Sequence, residues 1–271
     1  MVFVGIKKEN GIDGIIDSFT QKQLEQTYEV NEDNKLKTLL TRFEKNLTQE
    51  DLSTCEPSSE ILTPKEIDTF LQSTKIFEER DYYEILLIPT LNKLIQTSYQ
   101  NKHNSFILNM GFNYIILEEL CSNLRGEKTN SLQITINGYV GERFGENSRY
   151  LFAKGEFAED NLGHSSEHSS FTFDKAGQNC GHSSKYSHFE INEVDALLGE
   201  KSNSSTFVIH NSWEGFGAYN FTDYDVRQCT FKTPNREVLR KFMALIPEGN
   251  KIIFINGAKE EVVRNYDQSR N

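Results

Sequence analysis

Five glycines in the second half of the chain are separated by one constant interval. Gly145, Gly163, Gly181, Gly199 and Gly217 follow one another every 18 residues. A short, fixed period is the signature of stacked units, because one unit cannot bury its apolar face alone and its neighbours complete a continuous core. The interval therefore predicts a β-solenoid with 18-residue coils. We expect the glycine to mark a corner that needs a positive φ or a close approach to the next coil.

Apolar side chains recur in register with these glycines. The segments between them alternate apolar and polar residues as β-strands do, which puts Phe171, Phe189 and Phe207 at equivalent positions on one face. We expect that face to point into the solenoid. The pattern runs from residue 131 to residue 233 and predicts about six coils. Two more inward columns are predicted, one before the glycines (Phe144, Leu162, Cys180, Leu198 and Phe216) and one of small residues (Val140, Ala158, Ala176, Val194 and Ser212).

A polar column also follows the repeat. We interpret its side chains as corner groups that form hydrogen bonds with the turn backbone, rather than as a catalytic array, because Ser and Asn commonly do so at turns. Its members stand three residues after the glycines and are Ser148, Ser166, Ser184, Ser202 and Asn220.

Residues 1–130 contain the start signals and apolar spacing of a mainly helical region. The segment Thr63-Pro64-Lys65-Glu66 is a capping box with proline at the first helical position, and apolar residues follow it at helical spacing. Apolar spacing predicts further helices around residues 36–43, 83–95 and 115–124. We expect this region to cover one end of the solenoid, because open strand edges invite aggregation.

Residues 234–271 predict a cap for the other end. A short helix is expected after Thr233-Pro234, and a β-hairpin is expected to turn at Asn256-Gly257. The predicted fold class is therefore α+β. It combines a helical N-terminal region, a single-stranded β-solenoid (β-helix) over 131–233, and a C-terminal cap of one helix and one hairpin. The handedness of the solenoid stays open.

Composition restricts the partners. The formal net charge of −11 opposes nucleic acid, since affinity for phosphates comes from Lys and Arg. The first residues lack the apolar core of a signal peptide, and no segment approaches the roughly 20 apolar residues that span a bilayer. We expect a cytoplasmic protein that binds neither nucleic acid nor membrane. Its cysteines are far apart and predict buried free thiols: Cys55, Cys121, Cys180 and Cys229.

The repeat resembles a known family over about 100 residues. The segment Asn137-Gly138-Tyr139-Val140-Gly141-Glu142-Arg143-Phe144-Gly145 is similar to the glycine-rich repeat of the GXGXG domain. That right-handed β-helix occurs at the C-terminus of the glutamate synthase large subunit and in a formylmethanofuran dehydrogenase subunit. The resemblance implies a non-catalytic scaffold, and no catalytic residue carries over. The chain lacks the paired glycines common in that repeat and has Asn192, Asp195 and Trp213 where later coils lose glycine.

A second polar column contains groups that bind metals. Glu146, His164, His182 and Glu200 each follow a repeat glycine directly. Since neighbouring coils lie about 4.8 Å apart, the four side chains are expected on one outer ridge. Two imidazoles and a carboxylate are zinc-type ligands, so a transition metal on this ridge is one hypothesis. The other is a pair of solvated histidines produced by duplication of one coil, since Gly-His-Ser-Ser occurs twice.

The period also matches an enzyme alternative. Left-handed β-helices use 18-residue coils made of three hexapeptides, and they include acyltransferases and carbonic anhydrases with histidine-bound zinc. Such a chain would be a metal-dependent enzyme. The hexapeptide start, an aliphatic or aromatic residue before glycine, appears here once per coil, as in Leu162-Gly163, rather than three times.

The sequence favours a binding function. Solenoids commonly act through an extended side surface, so we expect a non-catalytic scaffold or protein-interaction module with a protein partner. The contact is expected at exposed aromatic residues near the insertion after Gly217, unless these pack the insertion against the last coil. The residues are Tyr186, Trp213, Tyr219 and Tyr224.

Overall fold

A computed structural model describes residues 33–49, 60–111, 117–213 and 225–265. Nine strands in these ranges form one sheet, and the order of the strands follows the chain. None of the described helices is long and apolar enough to cross a membrane. The helices are α1 (Asp33–Asn46), α2 (Pro64–Thr74), α3 (Tyr83–Gln100) and α4 (Arg236–Leu245). The strands are β1 (Ser105–Gly111), β2 (Leu132–Val140), β3 (Leu151–Ala158), β4 (Ser170–Ala176), β5 (His188–Val194), β6 (Thr206–Trp213), β7 (Thr230–Thr233), β8 (Lys251–Asn256) and β9 (Lys259–Arg264).

Strands β2 to β7 form a parallel β-solenoid of about six turns. Each strand pairs with the equivalent strand of the next coil, so that Phe171 lies opposite Phe189 and Phe189 lies opposite Phe207. Helices precede the solenoid, and α4 with the antiparallel hairpin of β8 and β9 follows it. The predicted α+β fold with 18-residue coils is confirmed.

The predicted helix around residues 115–124 is wrong for its described part, 117–124. These residues form turns, and Cys121 and Asn123 have positive φ. Leu120 and Leu124 are buried, and their backbone carbonyls accept hydrogen bonds from the N–H groups of Gly145 and Arg149 in the next coil. The apolar spacing that resembled a helix is therefore the turn of an earlier coil. Strand β1 belongs to this coil and pairs in parallel with β2.

A stack of phenylalanine rings fills the solenoid. Phe171, Phe189, Phe207 and Phe231 are fully buried, and their ring centroids are separated by 5.2, 5.1 and 5.1 Å. The near-parallel rings follow the spacing of the strands, which is about 4.8 Å. Burial of a Phe side chain contributes roughly 2–3 kcal/mol, so this column is a large part of the hydrophobic core.

The repeat glycines allow this stack to form. Gly163 has a φ of +63°, and a Cβ built there would lie 2.7 Å from atoms of both Phe171 and Phe189. Both reasons for glycine that the sequence predicts, positive φ and close approach, are therefore present. Gly145, Gly181 and Gly199 share them, whereas Gly217 lies outside the described residues.

One inward column departs from the sequence prediction. Val140, Ala158, Ala176 and Val194 are buried in register, but Val194 pairs with Trp213 and not with Ser212. The cause is a register shift after Ile191, which places Ser212 opposite Glu193. The prediction of Ser212 in this column is wrong because one extra residue enters β6.

The serine column bonds differently from the prediction. Ser166 Oγ donates to Ser187 Oγ at 3.3 Å, and Ser184 Oγ donates to Ser205 Oγ at 3.1 Å. The acceptors belong to a second buried column, Ser169, Ser187 and Ser205, that sequence analysis missed. Its hydroxyls also accept from backbone N–H groups of the preceding coil. These hydroxyls therefore join consecutive coils. Of the first column, Ser202 bonds to the turn backbone, at Gly199, and Asn220 lies outside the described residues.

Side chains cover the strand edge at the N-terminal end. Asp68 of α2 accepts hydrogen bonds from the backbone N–H of Asn109 at 2.8 Å and from its side-chain amide at 2.7 Å. Lys75 Nζ donates to the carbonyl of Met110 at 3.2 Å. The predicted capping box starts α2, with Thr63 and Glu66 each bonded to the other's backbone. Side chains of α2 and of the residue that follows it thus bond to the end of β1, at Asn109 and Met110.

Helix α4 and the hairpin lie at the C-terminal end. The ring of Phe242 packs against Phe231, the last ring of the stack, with 5.6 Å between the centroids. Strand β8 continues the parallel sheet, and the chain turns at Asn256-Gly257 into β9. The helix and hairpin that the sequence predicts are therefore confirmed.

Candidate functional site

The predicted Glu–His column is assembled on one ridge of the turn segments. Glu146 Oε1 lies 2.9 Å from His164 Nδ1, and His182 Nε2 lies 4.0 Å from Glu200 Oε1. The two imidazoles stack with 4.8 Å between their centroids and 21° between their planes. The structure therefore brings all four side chains together as a linear ladder, carboxylate–imidazole–imidazole–carboxylate.

The ladder does not converge on one point. The lone pairs of imidazole nitrogens lie in the ring plane, and a zinc ion needs them directed at it from about 2.0–2.1 Å. Rings stacked face to face direct their faces at each other instead. Among the residues that the structure describes, no group of three or more His, Cys, Asp or Glu side chains is arranged to hold a metal ion.

We expect protein purified without a His tag to contain no stoichiometric transition metal, because the two imidazoles of the ladder stack instead of converging. Inductively coupled plasma mass spectrometry on the wild type and on the His164→Ala, His182→Ala double variant would measure this. Near-stoichiometric metal that disappears in the double variant would contradict the expectation and favour the metal-dependent enzyme alternative.

Burial lowers the pKa of two histidines, His182 and His188. Burial lowers the pKa of His182 from its ordinary value, the nearby His164 and Lys201 lower it further, and Glu200 opposes them. Burial also lowers the pKa of His188, against the opposing charge of Glu190. Both side chains therefore bind protons less readily in the folded protein than in the unfolded chain.

We expect stability to fall as the pH falls below about 6.5, the ordinary histidine pKa. In that range the unfolded chain binds more protons than the folded one, so protonation favours unfolding. Well above pH 7 both histidines are neutral in both states and contribute nothing to this dependence. Urea unfolding at about pH 7.5 and pH 5.5 would measure it. A His182→Asn, His188→Asn variant should lose less stability between the two, and an equal loss would contradict this assignment.

An aromatic column occupies a corner of the solenoid. The rings of Tyr150 and His168 stack with 5.1 Å between centroids, and those of His168 and Tyr186 with 5.0 Å. The guanidinium carbon of Arg149 lies 5.3 Å from the centroid of Tyr150. Tyr186, the last ring, is 57% exposed. The structure therefore places this predicted binding residue at the end of an ordered stack.

The other predicted binding residues are less fully described. Trp213 ends β6, and its side chain is outside the described part of the structure. Tyr219 and Tyr224 also lie outside the described residues. Among the four predicted binding residues, the structure describes the side chain of Tyr186 alone.

A groove on the outer face of the sheet was not predicted. Its volume is about 590 Å³, and it crosses strands β2 to β6. Thr135, Lys154, Thr172 and Glu190 lie in one row across neighbouring strands, so the groove follows the solenoid axis. The lining residues are Thr135, Ile136, Lys154, Gly155, Thr172, Phe173, Asp174, Glu190, Asn192 and His210.

One end of the groove contains a paired carboxylate. Glu190 Oε1 lies 3.0 Å from His210 Nε2, and Glu190 Oε2 lies 3.9 Å from His188 Nε2. By contrast, the side chains of Lys154 and Asp174 form no hydrogen bond or ion pair with any described residue. A cation and a carboxylate thus face the groove with their bonding capacity available to a ligand.

The buried thiols predicted from the sequence are present. Cys121, Cys180 and Cys229 are free and buried, and burial raises the pKa of each thiol. They are therefore poor nucleophiles, because the thiolate is the reactive form. Cys55 lies outside the described residues.

Comparisons of the chain with protein-family models, with curated proteins and with solved structures gave no significant match.

Proposed function

We propose that this chain is a non-catalytic protein-interaction module that binds an extended segment of a partner protein in the groove along its sheet. The observation that carries the proposal is the groove itself, which presents polar side chains from five consecutive strands, four of them in one row. Its volume of about 590 Å³ is within the range of ligand sites, about 300–1,000 Å³.

The dimensions suit an extended polypeptide. Five strands give four intervals of about 4.8 Å, so the groove is about 19 Å long. An extended chain advances about 3.3 Å per residue, and about six residues would therefore lie along it. The unpaired Lys154 and Asp174 offer one cationic and one anionic contact to side chains of such a segment.

The lining of the groove offers contacts for binding. Its threonine and asparagine side chains, with Lys154 and Asp174, offer hydrogen bonds and charges along the groove. The resemblance of the Asn137–Gly145 segment to the GXGXG domain also supports a scaffold role. Free buried thiols are common in reducing compartments, which supports the expectation of a cytoplasmic protein.

Site-specific photo-crosslinking tests the proposal. A benzoylphenylalanine at Thr172 lies in the groove, whereas one at the exposed Gln178 lies in a turn outside it and is the matched control. We expect a partner protein to be captured from position 172 and not from position 178. The captured partner, once purified, should bind the Thr172→Trp variant at least about tenfold more weakly, and the Gln178→Trp variant normally.

Two results would overturn the proposal. One is equal capture from both positions, or capture from neither. The other is a purified partner whose affinity is unchanged by Thr172→Trp. Thermal melting of both tryptophan variants would establish that each is folded, because exposed positions on a sheet and in a turn tolerate a large side chain.

A further inference from the structure

We propose that Tyr186 is a stacking site for one aromatic side chain, tyrosine or tryptophan, of the protein partner. The inference rests on the proposed function and adds the chemistry of a contact at the edge of the same surface. It starts from the corner column Tyr150, His168, Tyr186, Ser204 and Gln228, whose members all have φ between 51° and 55°.

Equal backbone geometry makes the five side chains leave the corner in the same direction. Isolated bridges between the preceding residues keep neighbouring coils in register, with Lys185 paired to Asn203 and Asn203 paired to Arg227. The first three members of the column carry rings, and those rings stack. The fourth member, Ser204, has no ring, so the stack stops at Tyr186.

The two ends of the ring stack differ. At the N-terminal end the guanidinium of Arg149 lies over Tyr150, 5.3 Å from its centroid, and covers that ring. At the other end the small side chain of Ser204 follows Tyr186. Its hydroxyl donates to Asn203 Oδ1 at 2.7 Å and lies 3.5 Å from Gln228 Oε1. One face of Tyr186 is therefore left without a ring partner from the column.

The coil spacing next to Tyr186 suits one further ring. Neighbouring coils lie about 4.8 Å apart, and stacked aromatic rings prefer centroid distances of about 4.5–7 Å. A ring beside Ser204 would therefore lie within stacking distance of Tyr186, and the Gln228 amide, whose Oε1 is 3.5 Å from Ser204 Oγ, would border it. A partner ring would continue the existing stack by one member.

Tyr186 is prepared for such a contact. Its ring is held by His168, so little conformational entropy is lost when a partner stacks on it. Exposed, rigid aromatic residues are typical centres of protein interfaces. The Tyr186 side chain is 57% exposed, so water still reaches more than half of its surface.

The surroundings select the ligand. The Ser204 hydroxyl and the Gln228 amide offer hydrogen bonds at the rim, which favours an aromatic ring with its own polar atom, tyrosine or tryptophan, over phenylalanine. Nucleobases of a nucleic acid are disfavoured, since the chain carries a net charge of −11 and their phosphates would be repelled.

Nuclear magnetic resonance of the full chain with labelled tyrosine tests the inference. The probes are N-acetyltryptophanamide and N-acetyltyrosinamide, with N-acetylleucinamide as the apolar control. We expect the first two to shift the ring signals of Tyr186 and the side-chain amide of Gln228 in a saturable way. The leucine derivative should shift them several-fold less, because it has no ring to stack.

Two variants make the test specific. Ser204→Tyr extends the column by one ring at a position whose φ already suits tyrosine, as it does at Tyr186, and should abolish the response. Tyr139→Leu alters another exposed tyrosine, 49% exposed, and should leave the response unchanged. Thr172→Trp in the groove should also leave it unchanged, which separates this inference from the proposed function.

Three results would overturn the inference. The first is a probe response that persists in Ser204→Tyr. The second is a response to methyl glucoside that equals the response to the aromatic probes, which would identify a sugar site. The third is a nuclear Overhauser contact in the free protein between Tyr186 and Tyr219 or Tyr224, which would show that the chain itself supplies the ring.

Discussion

Inserting one alanine after Lys185 is expected to unfold the solenoid. The extra residue moves Phe189 to an outward position and Glu190 to an inward one, because side chains on a strand alternate between the two faces. The same slip displaces the inter-coil bonds that span the insertion, from the backbone N–H of His188 to the carbonyl of Ser169 and from the N–H of Ser169 to Ser187 Oγ. The loss should exceed the roughly 5–15 kcal/mol that stabilises an ordinary domain. Circular dichroism should show no cooperative β-sheet transition.

A duplicated coil is the matched control for this insertion. Repeating residues 170–187 adds 18 residues and keeps every column in register. The new coil should stack on its neighbours through the same phenylalanine and serine columns, as repeat proteins with an added unit do. We expect this longer protein to fold and to melt cooperatively. An unchanged melt for the one-residue insertion, or failure of the duplicated coil alone, would contradict the register argument.

Replacing Phe189 by alanine is expected to cost about 3–5 kcal/mol of the free energy of unfolding. The ring lies between Phe171 and Phe207, 5.2 and 5.1 Å from their centroids. Both neighbours are fixed to their own strands by backbone pairing, so they are unable to close the cavity fully. The melting temperature should fall by roughly 10 °C, as measured by thermal and urea unfolding.

Two further variants calibrate this loss. Phe189→Leu keeps most of the volume and should cost clearly less, because the remaining cavity is smaller. Lys185→Ala removes an exposed side chain in the turn before β5 and should change stability by no more than about 0.5 kcal/mol. If Phe189→Ala cost no more than Lys185→Ala, the buried ring column would not be the main support of the coils.

The Glu–His ladder shows how far spacing alone can place a surface feature. An 18-residue period puts Glu146, His164, His182 and Glu200 in one column, and the structure has them there. Whether the column is able to bind a metal depends on the orientation of its imidazole rings. The spacing of residues in the sequence does not determine that orientation. The rings stack, and in that arrangement the two imidazoles do not converge on one point as metal ligands do.

The binding surface shows the opposite case. Exposed tyrosines were predicted as contacts, but the feature that makes Tyr186 distinctive is the order of side chains along its column, two rings before it and a serine after it. The sequence contains only a weak signal for the groove. Thr172 and Glu190 are outward positions separated by one coil. Its volume arises from side chains of five strands, and pairing decides which of them meet.

The amino-acid sequence by itself determined the coil length, the inward phenylalanine column, the glycine corners and the two end caps. These follow from periodicity, because residues one period apart occupy equivalent positions whenever the coils stack. Only the tertiary structure decided that 105–111 forms the first strand, that a register shift follows Ile191, and that a second serine column joins the coils. It also decided which of the described side chains stack at the corner and which line the groove. Those features depend on contacts between coils, and the energies of such contacts are absent from the pattern of any single coil.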